Sequence, residues 1–253
     1  MLAEERRRKV LQLVEREGRV VVKDLARRFS TSLITVRKDL EYLHQQGRIE
    51  RAHGGALPID AAALRDPTLR EKERLHRKEK LRIAAAAARL VRPGHVIILD
   101  SGTTSTAVAR ATKNIRNLTV ITNAVNIAAE LVGTDVEVIL TGGALRRNSF
   151  SLVGPLAEES LRYVTADLLF LAVDGFDLEY GLTTPNLLEA KVNRVMIENA
   201  KTTIVVCDFS KFGRRSLSMI APTSAVHHTI TDSKVSQKYL RGLREAGVKV
   251  TVV

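Results

Sequence analysis

The sequence is poor in residues on which several functions depend. Among its 253 residues are a single cysteine, Cys207, no tryptophan, and only 4% aromatic residues. One thiol excludes an internal disulfide and any zinc cluster built on several cysteines. It suits a reducing compartment, so a cytoplasmic location is expected. So few rings leave little for the stacking platforms that single-strand nucleic-acid binders use. Long apolar stretches are missing too. The run over residues 83–88 is bracketed by Arg82 and Arg89 and falls far short of the roughly 20 residues that cross a bilayer. The opening MLAEERRRKV lacks the apolar stretch of a signal peptide. No membrane association is expected. His76, His95, His227 and His228 show no ligand spacing such as H-E-x-x-H, and Ser101 and Ser210 have no G-x-S-x-G context. Neither a metal, a cofactor nor hydrolase chemistry is expected.

What the sequence has in excess is positive charge. Forty Lys and Arg stand against 28 Asp and Glu, a formal charge of +12, with 45% hydrophobic residues to build a core. The excess is uneven. Residues 1–58 hold 13 basic and 8 acidic side chains, residues 59–92 hold 10 and 5, and residues 93–253 hold 17 and 15. A basic first third suggests an acidic polymer as partner. A solvated basic face explains the charge equally well when charge is taken alone.

Periodicity divides the chain further. Val10, Leu13 and Val14 recur at helical spacing within residues 2–17, and Gly18 supplies a stop. Val22, Leu25 and Phe29 mark a second, short helix. The cluster Ser30-Thr31-Ser32 caps a third over residues 32–46, with Leu33, Val36, Leu40 and Leu43 on one stripe and Gly47 after it. RIERAHGGAL then alternates around a Gly-Gly turn, the pattern of a small hairpin. Three helices and a hairpin read as a winged helix-turn-helix. At 100° per residue, the side opposite the apolar stripe carries Ile34, Thr35, Lys38 and Tyr42, flanked by Arg37. A helix in the major groove needs short side chains for base edges and cations for phosphates beside them. Ser32, Ile34, Thr35, Arg37 and Lys38, with Arg51 and His53 at the hairpin, form the expected DNA-binding set. Arg6, Arg7, Arg8, Lys9, Arg27 and Arg28 are candidates for backbone contacts. The plainer alternative is an amphipathic helix whose outer face happens to be basic.

Residues 59–73, which follow Pro58 and carry Pro67 among many charges, show no period and read as a linker. Residues 74–91 form a helix stopped by Pro93-Gly94. Thereafter HVIILD, LTVITN, DVEVILTG, ADLLFLAVD, TTIVVCD, HHTITD and VKVTVV alternate with helical stretches. Apolar strands of this kind imply an α/β domain with a parallel sheet covered on both faces. Their ends are polar: Asp100 leads into Ser101-Gly102-Thr103-Thr104-Ser105, and Asn123, Gly142-Gly143, Asp174 and Asp208 end later strands. Ligands of open parallel sheets sit outside those ends. Gly102 permits a tight turn, and the hydroxyls and free amides that follow favour a phosphate at a helix start. The loop matches neither a P-loop nor G-x-G-x-x-G, so a small phosphoester fits better than a nucleotide. Lys191, Arg194 and Lys211 are candidate countercharges. Asp174, Asp177, Glu179 and Glu189 suit sugar hydroxyls or proton transfer. Taken singly, each polar turn is equally a helix cap.

These motifs carry a family resemblance. Arg6-x3-Val10-x3-Val14, Ser32-x2-Thr35-Val36-Arg37-Lys38-Asp39-Leu40 and RAHGGA resemble the DNA-binding module of DeoR-type (DeoR/GlpR) bacterial transcriptional repressors. LDSGTTS, ITN, LTGG, VDGFD, DFSKFG and ITD resemble the effector domain of the same family, a relative of sugar-phosphate isomerases and glucosamine-phosphate deaminases. The resemblance implies a winged helix-turn-helix domain over residues 1–58, a linker over 59–73, and a doubly wound, isomerase-like sugar-phosphate-sensor and oligomerisation domain over 74–253. It implies three partners: double-stranded operator DNA, a phosphorylated sugar or aminosugar effector, and further copies of the chain in a dimer or tetramer. The implied effector set is Asp100, Ser101, Gly102, Thr103, Thr104, Ser105, Asn123, Gly142, Gly143, Asp174, Lys191 and Lys211. Where the deaminases carry a ring-opening histidine, this chain has Phe176, which implies recognition without turnover. Thr184-Pro185-Asn186 and the ending GLREAGVKVTVV are most similar to the aminosugar branch, such as the N-acetylgalactosamine regulators. Two other readings compete: a sugar-phosphate isomerase or deaminase with an appended DNA module, and an architectural DNA-binding protein whose α/β body only oligomerises. The helix over 74–91, with Leu81 and Ile83, is the expected transmitter between the domains.

Overall fold

The backbone separates into two units, residues 1–65 and 66–253. This computed structural model describes residues 2–46, 48–52, 54–58 and 66–253. In the first unit, α1 (Ala3–Glu17) ends at Gly18, whose φ of 66° lets its N–H reach the Val14 carbonyl. The chain continues through β1 (Val20–Val21), α2 (Val22–Arg28), α3 (Leu33–Gln45), β2 (Glu50–Ala52) and β3 (Gly55–Leu57). Strand β3 lies between β1 and β2, antiparallel to both. The hairpin is thus sewn to the segment between the first two helices. Val36, Leu40 and Leu43, at i, i+4 and i+7, turn one face of α3 onto Val10, Val14, Leu25 and Ile49. Each such side chain contributes about 1.5–3 kcal/mol when fully buried. Leu33, expected on that stripe, is 40% exposed because it opens the helix beyond the reach of the core. The same face also buries a charge: Asp39 is 2% exposed and accepts from Arg6 Nε (2.5 Å) and Arg7 Nε (2.9 Å).

The second unit begins earlier than the sequence pattern indicates. Residues 66–73, expected in the linker, belong to it. They include α4 (Leu69–Arg74), started by a capping box in which Thr68 and Glu71 bond each other's backbone N–H. After α5 (Arg77–Ala88) come β4 (Val96–Leu99), α6 (Thr103–Thr112), β5 (Thr119–Thr122), α7 (Val125–Leu131), β6 (Glu137–Leu140), β7 (Ala144–Arg146) and β8 (Ser151–Val153). Then follow α8 (Pro155–Arg162), β9 (Ala166–Leu171), β10 (Gly175–Asp177), β11 (Gly181–Thr184), α9 (Leu187–Glu198), β12 (Ala200–Val206), β13 (Ser218–Ala221), β14 (His228–Thr231), α10 (Gln237–Glu245) and β15 (Lys249–Val252).

The seven runs read as strands form one parallel sheet in the order β6-β5-β4-β9-β12-β14-β15. Alternation assigns its two faces. Leu169 and Leu171 enter one core with Ile98, Ile121 and Val205, whereas Phe170 enters the other with Ile97, Leu99, Val120 and Ile204. The winding reverses once: the chain lays β5 and β6 to one side of β4, then returns to place β9 on the other. This is the doubly wound arrangement, and its reversal leaves a crevice between the carboxyl ends of β4 and β9. Phe176 on β10 is 1% exposed and stacks on Phe212 in the first of the two cores.

Candidate functional site

The crevice at the reversal is bounded by the turn Asp100-Ser101-Gly102 after β4 and by residues 172–174 after β9. The two loops touch: a Cβ on Gly102, at φ 139°, would lie 2.9 Å from the Ala172 Cβ. Glycine is therefore required both for the turn and for the approach of the neighbouring loop. Asp174 occupies the far side. Its Oδ1 meets two ammonium groups, Lys72 Nζ at 2.7 Å and Lys211 Nζ at 3.6 Å. Burial works to raise the Asp174 carboxyl, but Lys72 and Lys211 outweigh it and hold the group below the usual carboxylate range. Burial works equally against the Lys72 ammonium, and Asp174 overcomes it, leaving Lys72 above its ordinary value. Lys211 goes the other way, because burial and the Arg214 guanidinium prevail over Asp174. A third lysine stands behind them. Lys80 Nζ donates to the carbonyls of Lys72 (2.5 Å) and Leu75 (2.7 Å).

The side of the crevice nearest β4 is made of acceptors. Asp100 is 2% exposed, and burial, reinforced by Glu189 and Asp174, pushes its carboxyl well above the usual range. Asn193 donates to Asp100 Oδ2 at 3.3 Å. Asn193 and Glu189 lie one turn apart on α9, so they share a face. Glu189 accepts from Ser151 Oγ (2.8 Å) and Thr184 Oγ1 (3.2 Å) and pairs with Arg146. Among the described residues, the buried oxygens Asp100 Oδ1, Asn193 Oδ1, Asn123 Oδ1 and Ser105 Oγ have no hydrogen-bond partner.

Of the residues singled out in the sequence, Asp100, Gly102, Asp174 and Lys211 come together here. Ser101 and Thr103 are partly exposed beside Gly102 at the start of α6; Thr104 is buried, and Ser105 is wholly enclosed. Lys191 does not join them. Two residues from both Glu189 and Asn193, it lies about 200° around α9 from each, and it is exposed on the opposite side. Arg194 donates instead to the carbonyls of Met219 (2.6 Å) and Ile220 (3.1 Å). Asn123 binds the Leu152 backbone at both its carbonyl (2.7 Å) and its side-chain amide (3.3 Å). Gly143 admits both β8 and the helix after it: a Cβ there would sit 2.7 Å from the Val153 carbonyl oxygen and 3.1 Å from the Ala157 Cβ, while Gly142 is exposed. Asn123 and Gly143 serve as joints at the β5 and β6 side of the sheet. Asp177 and Glu179 pair with Arg215 at 3.4 and 3.6 Å. Lys72, Lys80, Arg146 and Asn193 are additions that the sequence pattern did not single out. The signal available for Lys72 was the Thr68-x-x-Glu71 capping box, which announces a helix within the supposed linker.

In the first unit, Ser32 caps α3 by accepting from the Thr35 N–H at 3.1 Å, and its hydroxyl lies 2.8 Å from that of Thr35. Ile34 is 65% exposed, and Arg37 and Lys38 are exposed with no ion pair among the described residues. Arg51 pairs with Glu41 at 2.7 Å, and His53 lies outside the described residues. Not every cation is uncommitted. Arg6 and Arg7 hold Asp39, Lys9 pairs with Glu5 and Arg28 with Glu17, each at 2.9 Å, and Arg27 pairs with Asp24. The turn between α2 and α3 frames a depression lined by Lys23, Arg27, Ser30, Thr31 and Ser32.

Both units match family models: residues 6–62 the DeoR-like helix-turn-helix domain, and residues 75–233 the DeoR C terminal sensor domain. The chain belongs to the DeoR family. It is a DNA-binding transcriptional regulator, and its family is one of regulators, not enzymes. Among relatives in the family, the protein named "Putative aga operon transcriptional repressor" from Escherichia coli O157:H7 is 42% identical over 98% of this chain and 93% of its own. The HTH-type transcriptional regulator GlpR of Haloferax volcanii is 38% identical, covering 99% of this chain and 98% of its own. The glycerol-3-phosphate regulon repressor of Escherichia coli K12 is 33% identical over 88% of each. Ribose 5-phosphate isomerase A of Methanocaldococcus jannaschii overlaps 53% of each chain at 18% identity with a TM-score of 0.40, too slight a likeness to add to the assignment. Among the described residues no helix is long and apolar enough to cross a membrane, and no group of three or more His, Cys, Asp or Glu is placed to hold a metal ion.

Proposed function

We propose that this DeoR-family regulator represses a sugar-utilisation operon in the cytoplasm and that a phosphorylated sugar or aminosugar, bound in the β4/β9 crevice, controls its hold on the operator. The observation that carries this reading is the polarity of the crevice. Lys72, Lys211 and Lys80 gather at one end, and the buried, unpartnered oxygens of Asp100 and Asn193 lie at the other. A phosphate satisfies the first group and sugar hydroxyls donate to the second. Ser101, Gly102 and Thr103 present the start of α6 to the same ligand. Phe176 sits in the core where catalysis would need a polar group, which supports recognition without turnover. The relative named for the aga operon supports an aminosugar among the candidates.

At the operator, Ser32, Ile34, Thr35, Arg37 and Lys38 enter the major groove and Arg51 approaches the backbone. Readers of this type pair over two half-sites, so the working form is a dimer or tetramer. The test has two arms. Thermal shift against a panel of hexose and aminosugar phosphates will show stabilisation by at least one, about 2.7 kcal/mol at a hundredfold excess over Kd. No response to any of them, or sustained formation of product, overturns the sensor reading. Arg37→Ala and Lys38→Ala will each weaken operator binding, by about 1–3 kcal/mol where a base is contacted. Unchanged affinity in both removes α3 from the groove.

A further inference from the structure

The segment before α5 is held to the sensor unit at two polar points. At its start, the Asp66 carboxylate accepts from the Arg146 guanidinium and from Asn148 Nδ2, the latter at 3.1 Å. The Leu69 N–H is bonded to the Asn148 carbonyl at 2.6 Å. Six residues on, Lys72 reaches Asp174 in the crevice. Apolar packing adds little, because Leu69 is the only buried residue of α4. Six residues are too few for a helix to stand without support. The pair of Glu73 with Arg110, 3.9 Å apart and exposed, is worth little. Lys80 grips the carbonyls of Lys72 and Leu75 from below.

We infer that Arg146 and Asn148 form a carboxylate socket whose occupant is the chain's own Asp66, and that this latch sets how much of residues 66–75 stays docked on the sensor unit. With Asp66 and Lys72 engaged, residues 66–75 are held on the sensor unit; with both released, Lys80 still grips the Lys72 and Leu75 carbonyls, and the chain before them comes free as a longer connection. Two modules that must reach two half-sites together are sensitive to that length, because effective concentration depends on it. The trigger lies at one atom. Lys72 and Lys211 both address Oδ1 of Asp174, so a phosphate arriving at Lys72 competes with that oxygen for its ammonium and draws α4 off its anchor. The Asp66 anchor is also joined through the protein to the β4 side of the crevice. Arg146 binds Asp66 and Glu189, and Glu189 shares a face of α9 with Asn193, which binds Asp100. Release by a ligand rests on the sugar-phosphate reading of the crevice, whereas the latch itself does not.

Backbone hydrogen exchange over residues 66–75 of the full-length protein, read by mass spectrometry, tests both halves. Asp66→Asn keeps the size of the side chain and removes its charge. It will speed exchange of the Leu69 amide and its neighbours at least tenfold while leaving exchange in β4, β9 and β12 unchanged. Wild-type protection in this variant overturns the latch. Asn148→Ala, which leaves Arg146 in place and removes the amide that donates to both the carboxylate and the carbonyl of Asp66, will also speed exchange in the same segment, and no increase counts against the socket. Galactosamine 6-phosphate, with inorganic phosphate and chloride at matched ionic strength as controls, will speed exchange over residues 66–75 in the wild type. Slower exchange with the sugar phosphate overturns release and makes the segment a lid. If no sugar phosphate of the panel stabilises the protein, the sensor reading falls while the Asp66→Asn result still decides the latch.

Discussion

Lys80 is an ammonium group enclosed by the fold. Burial lowers it to about 8 from the usual 10.5; Asp208 opposes the change, and Lys211 and Lys72 add to it. Between those two values the unfolded chain keeps a proton that the folded one has released. The folded state therefore gains stability from this group as pH rises through that window, and below it the cost of the buried charge is carried in full. On the proposed reading of the crevice, ligand binding runs the opposite way, because only the protonated form attracts an anion. Calorimetric titration with a sugar phosphate that binds should show affinity falling as pH rises from about 7 to about 9, and Lys80→Gln should flatten the profile. An unchanged slope in the variant would place Lys80 outside the site. Asp174, also lowered, shows the same sign of coupling to the fold at the acid end of the scale. Held low by Lys72 and Lys211, it stabilises the fold above the ordinary carboxylate range and ceases to do so in acid.

Among the elements, α3 has two duties that compete for its surface. Its outer side must stay polar for DNA while its inner side must hold the small core of the first unit. Asp39 sits on the inner side, and Arg6 and Arg7 of α1 satisfy it. Asp39→Asn should cost the first unit about 2 kcal/mol in urea unfolding, as a buried charge-assisted pair is lost, without direct loss of a base contact. This also shows how far the sequence could be read. Val36, Leu40 and Leu43 have a helical period and the seven apolar runs have a strand's length, so the helices of the DNA module and the parallel sheet were legible. Asp39 was not, because spacing shows that a residue faces inward but not what meets it there. Strands β7, β8, β10, β11 and β13 have three or four residues each, too short to display a period. In the crevice, Asp100, Gly102, Asp174 and Lys211 were legible because they end strands or follow them directly. Lys72 comes from a segment without periodicity and Asn193 from the middle of a helix, so only the folded chain brings them in. Lys191, named as a countercharge, is exposed on the far side of α9, two positions and about 200° from Glu189.

Taken as a whole, the molecule separates its charge by task. The basic excess lies in residues 1–92, while residues 93–253 are nearly balanced at 17 against 15. Operator binding should therefore depend steeply on salt, falling roughly a thousandfold or more between about 50 and 200 mM if six or more phosphates are contacted. The sugar phosphate, enclosed by a few lysines, should lose far less affinity over the same range. Parallel calorimetric and gel-shift titrations in salt would separate the two, and equal slopes would contradict the division. The sheet order adds a consequence in time. The first unit closes its sheet by pairing Val20 with Ala56, whereas the centre of the sensor pairs Ile97 with Leu168. Distant pairings form late, and chains fold from the end made first. A chain still on the ribosome thus possesses a finished reader before its sensor has a centre. For that interval the half of the chain that meets DNA is complete while the crevice proposed for the effector does not yet exist.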